Sequence, residues 1–193
     1  MCGSVENINE ASLAEPIGEF LQKAYGKAPR RGFPHPCFPS SRPGAPRAID
    51  YVVTGDDASP RELRIALETK WITDRNYRKE ITNDTLRLQH LCRNIAFPPK
   101  AYLLVSGEKA TFFKHFRRAK HNDGKRMPFF RYFFNFSSRE RKDVDIANAP
   151  VRFRGARKIF ETEYSCKVEA DVVTTLIASI NQRGICVYVW QIE

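Results

Sequence analysis

The chain has 193 residues, 42% of them hydrophobic, and a net charge of +10. That is long enough for one sizeable core, short for two full domains, and basic enough to favour a polyanionic partner through counterion release. Its longest apolar runs, such as AYLLV at 101–105, are about a quarter of a membrane span, and MCGSVENINE lacks the apolar centre of a secretion signal, so a soluble, cytoplasmic chain is expected. Five cysteines (Cys2, Cys37, Cys92, Cys166, Cys186) form no C-x-x-C pair, which argues against a disulfide framework or a zinc knuckle and for packing roles in a reducing compartment.

Residues 11–26 predict a helix: Leu13, Ile17, Phe20 and Ala24 follow helical spacing, Ser12 can cap its start and Gly26 its end. Residues 26–46 hold six of the twelve prolines and predict a long loop, with room for a short edge strand around Cys37 and Phe38. From Phe20 to Ile49 there are six basic residues and no acid. RAIDYVVTG (47–55) and RELRIALETKW (61–71) predict two strands joined through the turn GDDASP. A helix over 73–94 places Tyr77, Ile81, Leu88, Leu91 and Ile95 on one stripe. Asp84 falls on that stripe too, with Arg87 one turn later able to pair with it.

KAYLLVSGE (100–108) predicts a buried strand whose place after a helix suits parallel pairing. EKATFFKHFRRAK reads as helix, RYFFNF and residues 151–166 as strands, EADVVTTLIASINQRG as a helix stopped by Gly184, and ICVYVWQI as a final strand. Between Lys114 and Lys158, 14 basic residues against four acids are interleaved with aromatics, a pattern that suits nucleic acid because cations meet phosphates and rings meet unpaired bases.

The chemistry gathers at IALETKW. Side chains two apart on a strand share a face, so Glu68 and Lys70 stand side by side, and the hairpin brings Asp50 across from Glu68. Two carboxylates that close repel unless a cation lies between them, and hard oxygen donors suit Mg²⁺. Lys70 would then help a bound water ionise or offset charge on an attacked phosphate. The acid-x-Lys spacing also occurs at Asp123 and Lys125, but in a polar turn rather than at the end of an apolar strand.

The order helix, strand with Asp50, strand with Glu68-x-Lys70, helix, strand resembles the PD-(D/E)xK nuclease superfamily over about residues 11–106. The resemblance implies an α/β fold with a restriction-endonuclease-like αβββαβ core, here followed by a C-terminal α+β elaboration over about 107–193 within a single domain. It implies Mg²⁺, for which Mn²⁺ would substitute, held by Asp50, Glu68 and the carbonyl of Thr69, with Lys70 polarising the water. It also implies hydrolysis of nucleic-acid phosphodiesters, DNA being preferred here and RNA left open. The family's further helix carboxylate falls on Glu15 or Glu19, although Ser12 with Glu15 also reads as a capping box. The first strand of the core has no clear place, because the proline-rich loop occupies it.

Other features carry less. His35, His90, His115 and His121 form no metal-like pair, Gln89 and His90 read as helix surface, and no phosphate-binding or dinucleotide-binding glycine motif is present. The alternative to a nuclease is a non-catalytic nucleic-acid-binding module or an interaction subunit that retains the fold. A homo-oligomer is compatible with either.

Overall fold

The computed structural model describes residues 9–38, 47–55, 62–73, 77–116, 132–146, 151–168 and 171–193. A 3-10 turn, Ala11–Leu13, leads into helix α1, Ala14–Tyr25. Ser12 pairs backward rather than forward: its N–H donates to Asn9 Oδ1 at 3.1 Å and the Asn9 N–H to Ser12 Oγ at 3.3 Å. This reciprocal pair caps the 3-10 turn and takes the place of the expected Ser12–Glu15 box. Gly26, at φ +69°, closes α1 by donating its N–H to Gln22 O, a conformation that costs glycine nothing.

Strand β1, Arg30–Pro34, lies inside the proline-rich segment, a few residues before the place expected near Cys37 and Phe38. It is tolerated there because it is the edge of the sheet. β2 (Ala48–Thr54), β3 (Leu63–Ile72), α2 (Arg78–Asn94) and β4 (Lys100–Glu108) follow. The first three strands form an antiparallel meander, and β4 pairs with β3 in parallel after the crossover through α2.

Beyond β4 come α3 (Lys109–Phe116), β5 (Lys142–Asp145), α4 (Val151–Tyr164), β6 (Asp171–Gln182) and β7 (Ile185–Ile192). All seven strands join one mixed sheet in the order β1-β2-β3-β4-β7-β6-β5, so the architecture is α/β.

Three expectations fail in this second half. Residues 151–164 are a helix, not a strand: Phe160 and Tyr164, one turn apart, stack at 4.3 Å, and Arg157 pairs with Glu161 at 2.9 Å across the same spacing. Residues 171–182 are a strand, not a helix, because Val172, Val173, Thr174, Thr175, Ile177 and Ile180 are β-branched and favour the pleat. Tyr132–Phe136 is not a strand either. Its carbonyls are met by side chains rather than by a strand ladder: the Thr174 hydroxyl donates to Phe133 O, and the Trp190 indole N–H donates to Asn135 O at 2.7 Å.

The larger apolar cluster fills the face covered by α2, α3 and α4, and includes Ile81, Leu88, Leu91, Phe112, Phe134, Phe160 and Trp190. A smaller cluster on the opposite face joins Leu21 of α1 to Tyr51, Val53, Ile65 and Leu67. No described helix is long and apolar enough to cross a membrane.

Candidate active site

β2 and β3 pair as far as Tyr51–Leu67, then part. One step beyond that pair, Asp50 takes over from the missing ladder. Its Oδ2 accepts the Thr69 N–H at 2.8 Å and the Thr69 hydroxyl at 2.9 Å. A carboxylate at the point of divergence thus replaces a neighbouring strand's carbonyl, and the strand ends are held open without leaving an orphaned donor.

Glu68 is almost fully buried, and its Oε1 accepts a hydrogen bond from Arg87 Nη2 at 2.7 Å. The same Nη2 donates to Asp84 Oδ1 at 2.8 Å, one turn away on α2. Asp84 Oδ2 lies 3.8 Å from Lys70 Nζ, and Glu10 Oε1 lies 3.8 Å from the same ammonium on its other side. Glu10 Oε2 also accepts the Trp71 N–H at 3.5 Å. One network therefore runs from the turn before α1, through the end of β3, to the middle of α2.

The electrostatics follow from burial. Desolvation pushes the Glu68 carboxyl well above the usual carboxylate range, with Asp84 adding to it and Arg87 opposing it. Desolvation raises Asp84 likewise, against the pull of Arg87 and Lys70. Burial works against charge on Lys70, yet Asp84, Glu10, Asp50 and Glu68 together outweigh it and hold the ammonium above its ordinary value. Lys70 is therefore a cation at neutral pH. As an ammonium it can stabilise negative charge.

Glu10, Asp50 and Thr69 share a pocket of about 520 Å³ with Ala11, Arg31, Gly32 and Tyr51. Glu10 is the carboxylate that sequence reasoning missed: it precedes α1 and has no local pattern to mark it. Glu15 and Glu19, the expected helix carboxylates, are exposed on α1 and enter none of these contacts. Gln89, expected on the helix surface, is buried and donates to the Asp171 carbonyl, tying α2 to β6. His90 stacks on Phe38 at 4.7 Å. His35 is buried and structural: its Nδ1 accepts the Cys37 N–H, which leaves Nε2 to donate to the Arg87 carbonyl. His121, Asp123 and Lys125 lie outside the described residues, as does the His115 side chain.

The donor chemistry, rather than a charge count, is what suits a divalent ion. The carboxylates Glu10, Asp50, Glu68 and Asp84 face the cations Lys70, Arg87 and Arg31, and burial favours the neutral form of Glu68 and Asp84, but the oxygens of Asp50 and Glu10 are hard donors of the type such an ion takes. The donors are distributed differently from the expectation. Asp50 and Glu10 open onto the pocket, whereas Glu68 faces Arg87 and does not line it. Among the described residues, no three His, Cys, Asp or Glu side chains are grouped so as to hold an ion. The fit therefore rests on Asp50 and Glu10, with Glu68 drawn in only if it leaves Arg87.

Part of the basic, aromatic region is described. Phe112, Phe133 and Phe134 are buried in the core and cannot stack on bases, while residues 117–131 lie outside the described residues. Comparison of the chain with protein-family models, with curated proteins and with solved structures finds no match.

Proposed function

We propose that this chain is a nucleic-acid phosphodiesterase with a restriction-endonuclease-like core, acting on DNA with the help of a divalent cation. The observation that carries the reading is the convergence of Glu10, Asp50 and Lys70. They come from three separate elements and meet where β2 and β3 part, beside an open pocket. The order α1, β1, β2, β3, α2, β4, with β3 and β4 parallel, supports it.

Asp50 and Glu10 would hold the ion, which when bound supplies a Lewis acid and a water that ionises near neutral pH. The remaining work falls to the chain. Lys70, kept protonated by the carboxylates around it, offsets the charge that builds on the phosphorus-bound oxygens as the diester is attacked. Thr69 holds Asp50 in place through two hydrogen bonds. Arg87 and Asp84 hold Glu68 and Lys70 from behind.

Purified protein is expected to cut plasmid or linear DNA in Mg²⁺ or Mn²⁺. Asp50→Asn and Lys70→Met should each lower the rate by about 10²-fold or more, with circular dichroism unchanged. Cleavage that persists undiminished in both variants would assign the activity to a contaminant.

A second reading draws on the Glu68–Arg87 pair, which occupies the acid of the motif. On that reading the chain is a binding module that retains the nuclease architecture. Salt-dependent DNA binding without cleavage, together with no Mn²⁺ binding by calorimetry, would select it.

A further inference from the structure

We propose that Arg31, on the edge strand β1, is the residue that binds a substrate phosphate in this pocket. The inference rests on the phosphodiesterase reading and adds the group that recognises the anion.

The register of β1 on β2 supplies the opening. Arg31 pairs with Tyr51 and Phe33 with Ile49, so Gly32 lies level with Asp50. Residues level across an antiparallel pair project to one face, so any side chain at position 32 would stand over Asp50. Glycine supplies none. Its φ of +58° is one that other residues adopt at a cost, and a Cβ built there meets nothing within 4 Å. β1 therefore leaves the approach to Asp50 clear.

Arg31, level with Tyr51, starts from the opposite face of the edge strand to Asp50, yet the two line one pocket. Arg31 is exposed, it shares that pocket with Glu10 as well, and its guanidinium lies over the Tyr51 ring, 5.5 Å from the centroid. Among the described residues it forms no ion pair, even with two carboxylates on the wall of its own pocket. Arg87, Arg157 and Arg141 are each held by carboxylates, whereas Arg30 and Arg47, like Arg31, rest on aromatic rings. Arg31 also makes a side-chain hydrogen bond with Tyr51, which uses part of its donor set and leaves further N–H groups of the kind that meet phosphate oxygens.

The charge layout gives the ligand a direction. A phosphodiester entering a pocket with Glu10 and Asp50 on its wall is repelled unless cations meet it. Lys70 lies 3.8 Å from Glu10, and Arg31 shares the pocket wall with both acids. The anionic oxygens turn to β1, and the phosphorus turns to the parted ends of β2 and β3. Arg31 binds and orients; it exchanges no proton and forms no bond.

The test is DNA binding in EDTA, where cutting cannot intervene, followed by the anisotropy of a labelled short duplex across a series of KCl concentrations. Arg31→Gln should weaken binding by about tenfold and make the slope of log K against log salt shallower by about 0.9, the signature of one lost phosphate contact. Arg31→Lys should restore the slope. Lys100→Gln is the control, because Lys100 pairs with Ile65 at the opposite end of β3 from the site. It should behave as wild type.

Equal affinity and slope in Arg31→Gln and wild type would overturn the assignment and leave the hydrolase reading to the Asp50 and Lys70 variants. The expected slopes with no cleavage in Mg²⁺ would support the Arg31 contact and sink the hydrolase reading alone.

Discussion

Arg87 shows why a glutamate can sit almost fully buried at the end of a strand. One guanidinium nitrogen serves Glu68 and Asp84 together, while Arg87 Nε is buried with no hydrogen-bond partner. Such a pair adds little over a well-packed apolar substitute, but breaking it strands charge in the interior. Arg87→Met is therefore expected to cost about 3–5 kcal/mol in urea unfolding. Removing both acids as well, in Glu68→Gln/Asp84→Asn/Arg87→Met, should recover part of that loss. A fully additive triple variant would show that the three are not coupled. His35 adds a pH dependence. Burial first, and the nearby Arg87 charge second, lower its pKa from 6.5 to about 4. The imidazole is harder to protonate in the fold than in the unfolded chain, so its contribution is complete above about pH 6.5 and is lost as pH falls toward 4. Up to about 3 kcal/mol is at stake. Glu68 and Asp84 act in the opposite sense, since their raised values make the fold lose stability as pH rises through them. Comparing wild type with His35→Gln isolates the histidine. The wild type should lose stability faster below pH 6.5, and parallel curves would refute the assignment.

Strand pairing puts other demands on small residues. Gly107 on β4 lies opposite Ile72 on β3, and a Cβ there would sit 2.9 Å from the Ile72 carbonyl oxygen. Both are backbone positions in a paired ladder, so neither can move cheaply. Gly107→Ala should destabilise by about 1–3 kcal/mol, read as a lower urea midpoint with unchanged m-value. No change in the midpoint would mean that β3 and β4 separate freely at their ends. The β6–β7 hairpin turns on Arg183 at φ +49° and Gly184 at φ +79°, the pair of left-handed residues that a two-residue hairpin loop of matching twist requires. This turn explains the misread element before it. Gly184 stops a helix or turns a hairpin equally well, and the deciding signal was the run of β-branched residues from Val172 to Ile180.

The two faces of the sheet are not equally protected. α2 is buried on most of its surface, with Ile81, Leu88 and Leu91 fully inside, whereas Leu21 is the one buried residue of α1. Opening α1 exposes little apolar area and leaves the larger cluster intact. In native-state hydrogen exchange, the amides of α1 should exchange through a local opening well below the global unfolding free energy, and those of β3, β4 and α2 only through the global one. Equal protection in α1 and α2 would contradict this. Because Glu10 directly precedes α1, such an opening would also loosen the carboxylate next to Lys70.

Local chemistry alone was enough to indicate the first half of the fold and the grouping of Glu68 and Lys70 in the candidate site. The periods of β2, β3, α2 and β4 are carried by neighbouring residues, and the shared side of Glu68 and Lys70 follows from two-residue alternation in one strand. The Asp84–Arg87 pair was legible for the same reason, being three residues apart on one helix. What remained hidden depends on distance through space. Glu10 meets Lys70 across 60 residues of chain, and Arg87 takes up Glu68 only because α2 packs over the end of β3. No periodicity records such contacts. They arise when separate elements close on one core, and only that closure decided which carboxylates face the pocket and which face an arginine.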